Sequence, residues 1–230
     1  MNLSEIQHKL YERLKPSGWG NLMKAFILSP QFYNILETLY KESTQSRNFT
    51  PVIKDMFRAF EECPYDKLRV VIVGQDPYPT LGVADGISFS CSKTMKEQPS
   101  LRFIFDELAN QYPDIERNPD LKRWSNQGVL MLNTALTCQV GKAGSHVKIW
   151  ENFITYLLQS LDDRYTGLIY VFLGKKAEKW SSLVSSKYNY HITRKHPAAA
   201  AYAGGKWDSD NLFLDINHEL NQLFGEEIKW

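Results

Sequence analysis

Asp76 lies in the run Gly74-Gln75-Asp76-Pro77-Tyr78. A carboxylate hemmed in by proline and tyrosine can orient a water molecule or stabilise a developing cation. An isolated Asp-Pro is also ordinary turn chemistry. His196, just before Pro197, offers a hydrogen-bond donor or a proton near such an acid, or is simply a histidine tied to backbone at a strand end. Asn133 carries a donor and an acceptor on one amide, which suits reading the edge of a nucleobase; the plainer reading is a turn start. Phe89, in Gly86-Ile87-Ser88-Phe89-Ser90, can stack on a base or fill a core. Gly174-Lys175 can bring backbone close to a phosphate or start a helix, and Pro99-Ser100 reads first as a helix start.

These residues gain meaning from the elements that carry them. Leu68 to Val73 is a short apolar run rich in β-branched residues, as expected for a strand buried on both faces. Val129 to Leu132, Leu168 to Leu173 and Tyr190 to Thr193 repeat the pattern. Helical spacing fills the intervals: Leu101, Ile104, Phe105 and Leu108; Trp150, Phe153, Ile154, Leu157 and Leu161; Trp180, Leu183 and Val184; Phe213, Ile216 and Leu220. Two Xaa-Pro pairs, Ser29-Pro30 and Thr50-Pro51, read as N-caps followed by proline at the first helical position. The alternation predicts an α/β/α sandwich around a four-stranded, mostly parallel sheet. We expect one domain over 1–230, with a helical part at 1–66 and the sheet and site at 67–230. Ligands of parallel sheets bind beyond the carboxyl ends of the strands. All four expected ends lead into glycine or polar residues: Gly74 to Asp76, Asn133, Gly174-Lys175 and His196.

Composition narrows the classes. Lys plus Arg is 27 and Asp plus Glu is 26, so the near-neutral chain gives no support to a strongly electrostatic nucleic-acid binder. Cys63, Cys91 and Cys138 are widely separated and lack Cys-x-x-Cys spacing, which argues against a disulfide framework and a zinc cluster. No apolar run approaches the ~20 residues of a membrane span, and the charged N-terminus lacks an apolar signal core. These features predict a soluble, cytoplasmic protein, or a nuclear one in a eukaryotic or viral setting. No phosphate-loop, dinucleotide or serine-hydrolase fingerprint is present.

Taken together, GQDPY at 74–78, GISFS at 86–90, PSL at 99–101, GVLMLN at 128–133, SH at 145–146, FLG at 172–174 and HP at 196–197 resemble the family 1 uracil-DNA glycosylases, from about Leu68 to the C-terminus. The resemblance implies a monomeric enzyme that needs no metal or cofactor and acts on uracil-containing DNA, single- or double-stranded. Asp76 would position water and stabilise positive charge on the sugar. Neutral His196 would hold uracil O2, and Asn133 would bind the N3–H and O4 edge. Tyr78 would block a C5 methyl, Phe89 would stack on the ring, and Gln75 would lend mainly backbone contacts. Pro99, Ser100, Gly174, Lys175, Pro197, Ala198 and Ala200 would lie along the DNA backbone. A DNA-mimicking inhibitor protein is the partner that such relatives suggest.

Two departures stand out. Pro79 occupies a position that is usually histidine, which predicts a slower enzyme. The loop usually read as HPSPLS is HPAAAA at 196–201. The leucine that wedges into the base stack aligns with Ala200, with Tyr202 as the nearest bulky residue. That predicts a preference for single-stranded or mismatched uracil, which is cheaper to unstack. Three other readings compete: a non-catalytic DNA-binding module, a glycosylase of broader base choice, and a flavodoxin-like nucleotide binder.

Overall fold

The computed structural model describes residues 2–46, 48–202 and 204–230; the side chains at 201 and 202 lie outside the description. The chain runs α1 (Leu3–Leu14), α2 (Gly20–Ile27), α3 (Pro30–Thr44), β1 (Phe49–Thr50), α4 (Arg58–Glu61), β2 (Val70–Gly74), α5 (Pro99–Gln111), α6 (Lys122–Ser125), β3 (Val129–Asn133), β4 (Cys138–Gln139), α7 (Val147–Asp162), β5 (Ile169–Leu173), α8 (Lys175–Glu178), β6 (Tyr190–Arg194) and α9 (Leu212–Phe224).

Strand order in the main sheet is β3-β2-β5-β6, with every pairing parallel. Residues of β2, β3 and β5 are buried throughout, which is why their sequences read as unbroken apolar runs rather than alternating ones. β6 lies at the sheet edge and is only partly covered. Register sets Gly74 opposite Asn133 and Leu173 opposite Arg194, so the carboxyl ends finish level on one rim.

Helices flank the sheet, and aromatic packing ties them down. Trp19, Phe32, Phe57, Phe60, Trp150 and Phe153 are fully buried; Trp19 meets Phe60 edge-on at 5.1 Å, and Trp150 meets Phe153 at 5.5 Å. Such pairs add about 0.5–1.5 kcal/mol each beyond the area they bury. Phe105, Trp124, Phe213 and Trp230 form a second cluster that gathers α5, α6, α9 and the C-terminal residues.

Ser29 caps α3 as its sequence indicates: its hydroxyl accepts from the Phe32 N–H, and Pro30 takes the first turn. Thr50-Pro51 does not repeat this. Thr50 pairs with Cys138 in a short antiparallel ladder, β1 with β4, and no α-helix begins at Pro51 for it to cap. The Thr50–Pro51 peptide is cis, and a 3-10 turn at Ile53–Asp55 precedes the single turn of α4. Met56, Phe57 and Phe60 still enter the core. The stripe of Trp180 and Leu183 is likewise a 3-10 segment, Lys179–Leu183, behind the short α8, and Val184 is extended.

Candidate active site

A cavity of about 290 Å³ opens at the level rim of the sheet. Gln75, Asp76 and Tyr78 line it from the loop after β2, Ser88 and Phe89 from the next loop, Asn133 from the end of β3, and His196 from beyond β6.

Asp76 Oδ2 accepts a 2.6 Å hydrogen bond from the Gly144 N–H. Burial raises the Asp76 carboxyl above its ordinary value, while the Gly144 bond and the nearby Lys176 ammonium pull it back part of the way. His196 is shifted the other way. Burial lowers it, and Lys176 lowers it further, so the ring is neutral at physiological pH. Its tautomer follows from one contact: the Ala198 N–H donates to Nδ1 at 3.1 Å, which leaves the single ring proton on Nε2. Gly174 makes room for this ring. A Cβ there would sit 2.9 Å from His196 Cβ, and its φ of +85° strains any other residue. Gly174 therefore starts α8 and clears space for His196 at once.

The aromatic walls are pinned by the main chain. Tyr78 Oη donates to the Phe89 carbonyl at 2.9 Å. Phe89 is held at φ +64°, a conformation that costs energy and persists only where neighbours over-determine it. Those neighbours are visible. Buried Asp85 accepts from the Ile87 N–H, the Ser90 hydroxyl and the Ser92 N–H, and pairs with Arg58 at 2.9 Å. The Phe89 ring lies 5.7 Å from the His196 ring at 45°.

Asn133 is 8% exposed. Its Oδ1 accepts from the Ser88 hydroxyl at 2.8 Å, and the Ser88 N–H donates to the Met131 carbonyl two residues back along the same strand. The amide is therefore braced from beside and below. Gln75 lines the cavity with its carbonyl already occupied by the Thr134 hydroxyl and the Ala135 N–H.

Among the outer residues, Ser100 and Ala198 line the cavity, and Pro99 is exposed at the first turn of α5. Gly174 and Lys175 instead line an adjoining groove with Lys195, His196 and Ala199. Pro197 is buried. Ala200, expected along the DNA backbone, is instead 1% exposed and packs in the core. The Tyr202 side chain, the nearest bulky substitute, lies outside the described residues.

Three contributors carry no local signal of their role. Ser88 lies inside GISFS, but its partner is 45 residues away. Gly144 meets Asp76 across 68 residues through its backbone alone. Lys176 acts through its field.

Residues 60–221 match the model of the Uracil DNA glycosylase superfamily. Uracil-DNA glycosylase 1 of Listeria monocytogenes is 37% identical over 215 residues, covering 92% of this chain and 96% of that protein. Uracil-DNA glycosylase of Acinetobacter baumannii is 32% identical over 233 residues, covering 100% and 98%. The crystal structure of mimivirus uracil-DNA glycosylase superposes with a TM-score of 0.85 at 27% identity, covering 96% of this chain and 88% of that one. A single-residue variant of the mimivirus protein, solved in complex with UGI, gives 0.83 at 28% identity, covering 92% and 87%.

Proposed function

The chain belongs to the uracil DNA glycosylase superfamily, and on that footing we propose that it hydrolyses the N-glycosidic bond between uracil and deoxyribose in DNA, as the first step of base excision repair. The carrying observation is the opposed pair in one cavity: an ionisable Asp76 with one oxygen held by Gly144, and a neutral His196 with its proton on Nε2.

The glycosidic bond is hidden within a duplex, so the nucleotide is extruded before it reacts. As N1–C1′ breaks, its electron pair passes into the base and negative charge gathers at O2, where His196 Nε2–H donates. Positive charge on the sugar faces the Asp76 carboxylate, which also orients the water that bonds to C1′. The water gives up one proton, and the uracil anion takes one on release.

Base choice follows from the walls. Tyr78 is fixed by its bond to Phe89, which supports its reading as a rigid barrier to the thymine methyl. Asn133 can accept from N3–H and donate to O4. Cytosine reverses both groups and would leave buried polar atoms unpaired, at about 1–3 kcal/mol each. The sequence motifs favour family 1, in an atypical form with Pro79 and HPAAAA, acting in the cytoplasm as a monomer. The inward-facing Ala200 supports a weak grip on duplex and a preference for single strands. It would also alter the surface offered to a DNA-mimicking inhibitor.

A gel assay with uracil-containing oligonucleotides, single- and double-stranded, tests this. Alkali-labile breaks at uracil are expected, faster on single strands and abolished by Asp76→Asn. Absence of breaks, or breaks that survive that substitution, would overturn the activity; equal rates on both substrates would overturn the strand preference.

A further inference from the structure

Beside the cavity runs a chain of polar groups, buried at Trp150, Thr137 and His146 and half-buried at Glu42 and Gln139, that the mechanism above does not use. Trp150 Nε1–H donates to Thr137 Oγ1 at 2.8 Å. Thr137 Oγ1 also lies 2.8 Å from His146 Nδ1. His146 Nε2 lies 2.8 Å from Glu42 Oε2, and Glu42 Oε1 accepts from Gln139 Nε2 at 2.7 Å. Proton directions follow from the one end that can only accept. The Glu42 carboxylate takes the proton of His146 Nε2, so Nδ1 of the neutral ring accepts from the Thr137 hydroxyl, which itself accepts from Trp150. Burial, the dominant influence, lowers the His146 ring against the opposing Glu42, in keeping with this neutral form.

The chain ends beside the catalytic carboxylate. His146 is two residues from Gly144, whose N–H holds Asp76 Oδ2. The intervening turn has further clasps: Gln139 N–H donates to Ser145 Oγ at 2.8 Å, and Lys142 N–H to the Gln139 carbonyl at 3.0 Å. Glu42 itself, on α3, does not line the cavity. We propose that Glu42 is a positioning residue: through His146 and Gln139 it fixes the 139–146 turn, so that the Gly144 amide grips one oxygen of Asp76 and leaves the other for water and sugar. This rests on the excision reading above.

The test is Glu42→Gln. The substitution keeps the shape but turns one of two acceptors into a donor that faces Gln139 or His146. A slackened Gly144 contact removes a hydrogen bond to the ionised form of Asp76. The groups that face Asp76 are then Lys176 and the Cys138 thiol. Single-turnover excision should slow by about tenfold with DNA affinity within about twofold. The acid limb of the rate–pH profile should move up by about one pH unit. A role in folding alone would lower the melting temperature and leave that limb in place, which would overturn the proposal. The Asp76 carboxyl can also be titrated directly by carbon-13 NMR, so the proposal stands or falls even if the wild type shows no excision and the activity itself is refuted. Should Glu42→Gln fail to fold, Ser145→Ala loosens the same turn by removing the Gln139 N–H acceptor; an unmoved Asp76 titration there would equally overturn the proposal.

Discussion

Replacing Gly74 by alanine adds one methyl at the point where three site residues converge. Gly74 ends β2 opposite Asn133 and does not occupy the left-handed region, so alanine meets no backbone penalty and the whole effect is steric. The new Cβ would stand 2.5 Å from Ser88 Oγ, 2.9 Å from Asn133 Oδ1 and 3.4 Å from Phe89 Cε2. Carbon–oxygen contacts ordinarily begin near ~3.3 Å, so Ser88 must retreat by roughly 0.8 Å and Asn133 by roughly 0.4 Å. Neither moves freely, because Ser88 is bonded to Met131 through its N–H and to Asn133 through its hydroxyl. Overpacking of this kind costs about 1–3 kcal/mol, and loss of the Ser88–Asn133 bond about 1 kcal/mol more. For a chain of this length, 2 kcal/mol lowers the midpoint by about 4–8 °C. The rate should suffer more than the fold. A misplacement approaching 1 Å costs on the order of 100-fold, or about 2.7 kcal/mol of barrier. Single-turnover excision of a uracil oligonucleotide at saturating enzyme reads the rate, and calorimetry reads the midpoint. A Gly74→Ala protein with a rate within twofold of wild type and an unchanged midpoint would show that Asn133 is not confined by these contacts.

Lys176→Gln should shift the acid limb of activity upward by a few tenths of a pH unit: burial already raises Asp76, and removing the cation that opposes it raises the carboxyl further, so protonation silences it at higher pH. The shift should shrink in high salt; a limb that stays put at low salt refutes it. Ala200→Leu should destabilise the protein by about 1–3 kcal/mol through overpacking rather than restore a wedge, because the site is closed; faster duplex excision at an unchanged melting temperature would contradict this. Pro79→His should raise the single-turnover rate, since its ring lines the cavity while its carbonyl stays bonded to the Gly141 N–H. An unaltered rate would remove Pro79 as the brake.

The sheet and its rim were legible because burial on both faces forces the unbroken Val-Ile-Leu runs of β2, β3 and β5, and because polar residues must follow where those strands stop. Ser29-Pro30 was legible for the same local reason: the cap and its partner lie three residues apart. Thr50-Pro51, a hydroxyl residue before proline like Ser29-Pro30, has a different fate, decided by Cys138 far along the chain. Ala200 shows the limit of alignment: matching a loop position says nothing about which way its Cβ points, and here it points inward. Ser88 and Gly144 were hidden for a third reason. One acts through a hydroxyl that suits any turn, and the other through a backbone N–H that every residue but proline possesses.

The electrostatics of the site have an economy that only the assembled structure reveals. Burial pushes both central groups toward their neutral forms, which suits His196 and works against Asp76. A neutral imidazole keeps an N–H to give without a full charge that would bind phosphate or hold on to the departing anion. A protonated carboxyl, by contrast, would neither orient water nor face a cation. The cavity needs something that restores charge to the acid and withholds it from the base. Lys176 does both, because a positive field favours a carboxylate and disfavours an imidazolium. The Gly144 N–H then adds to the acid alone. Burial remains the larger influence on both groups; the shared cation and one private hydrogen bond offset it at the acid, and the cation reinforces it at the base. It follows that losing Lys176 should impair Asp76 and His196 together, while loosening Gly144 should act through Asp76 alone.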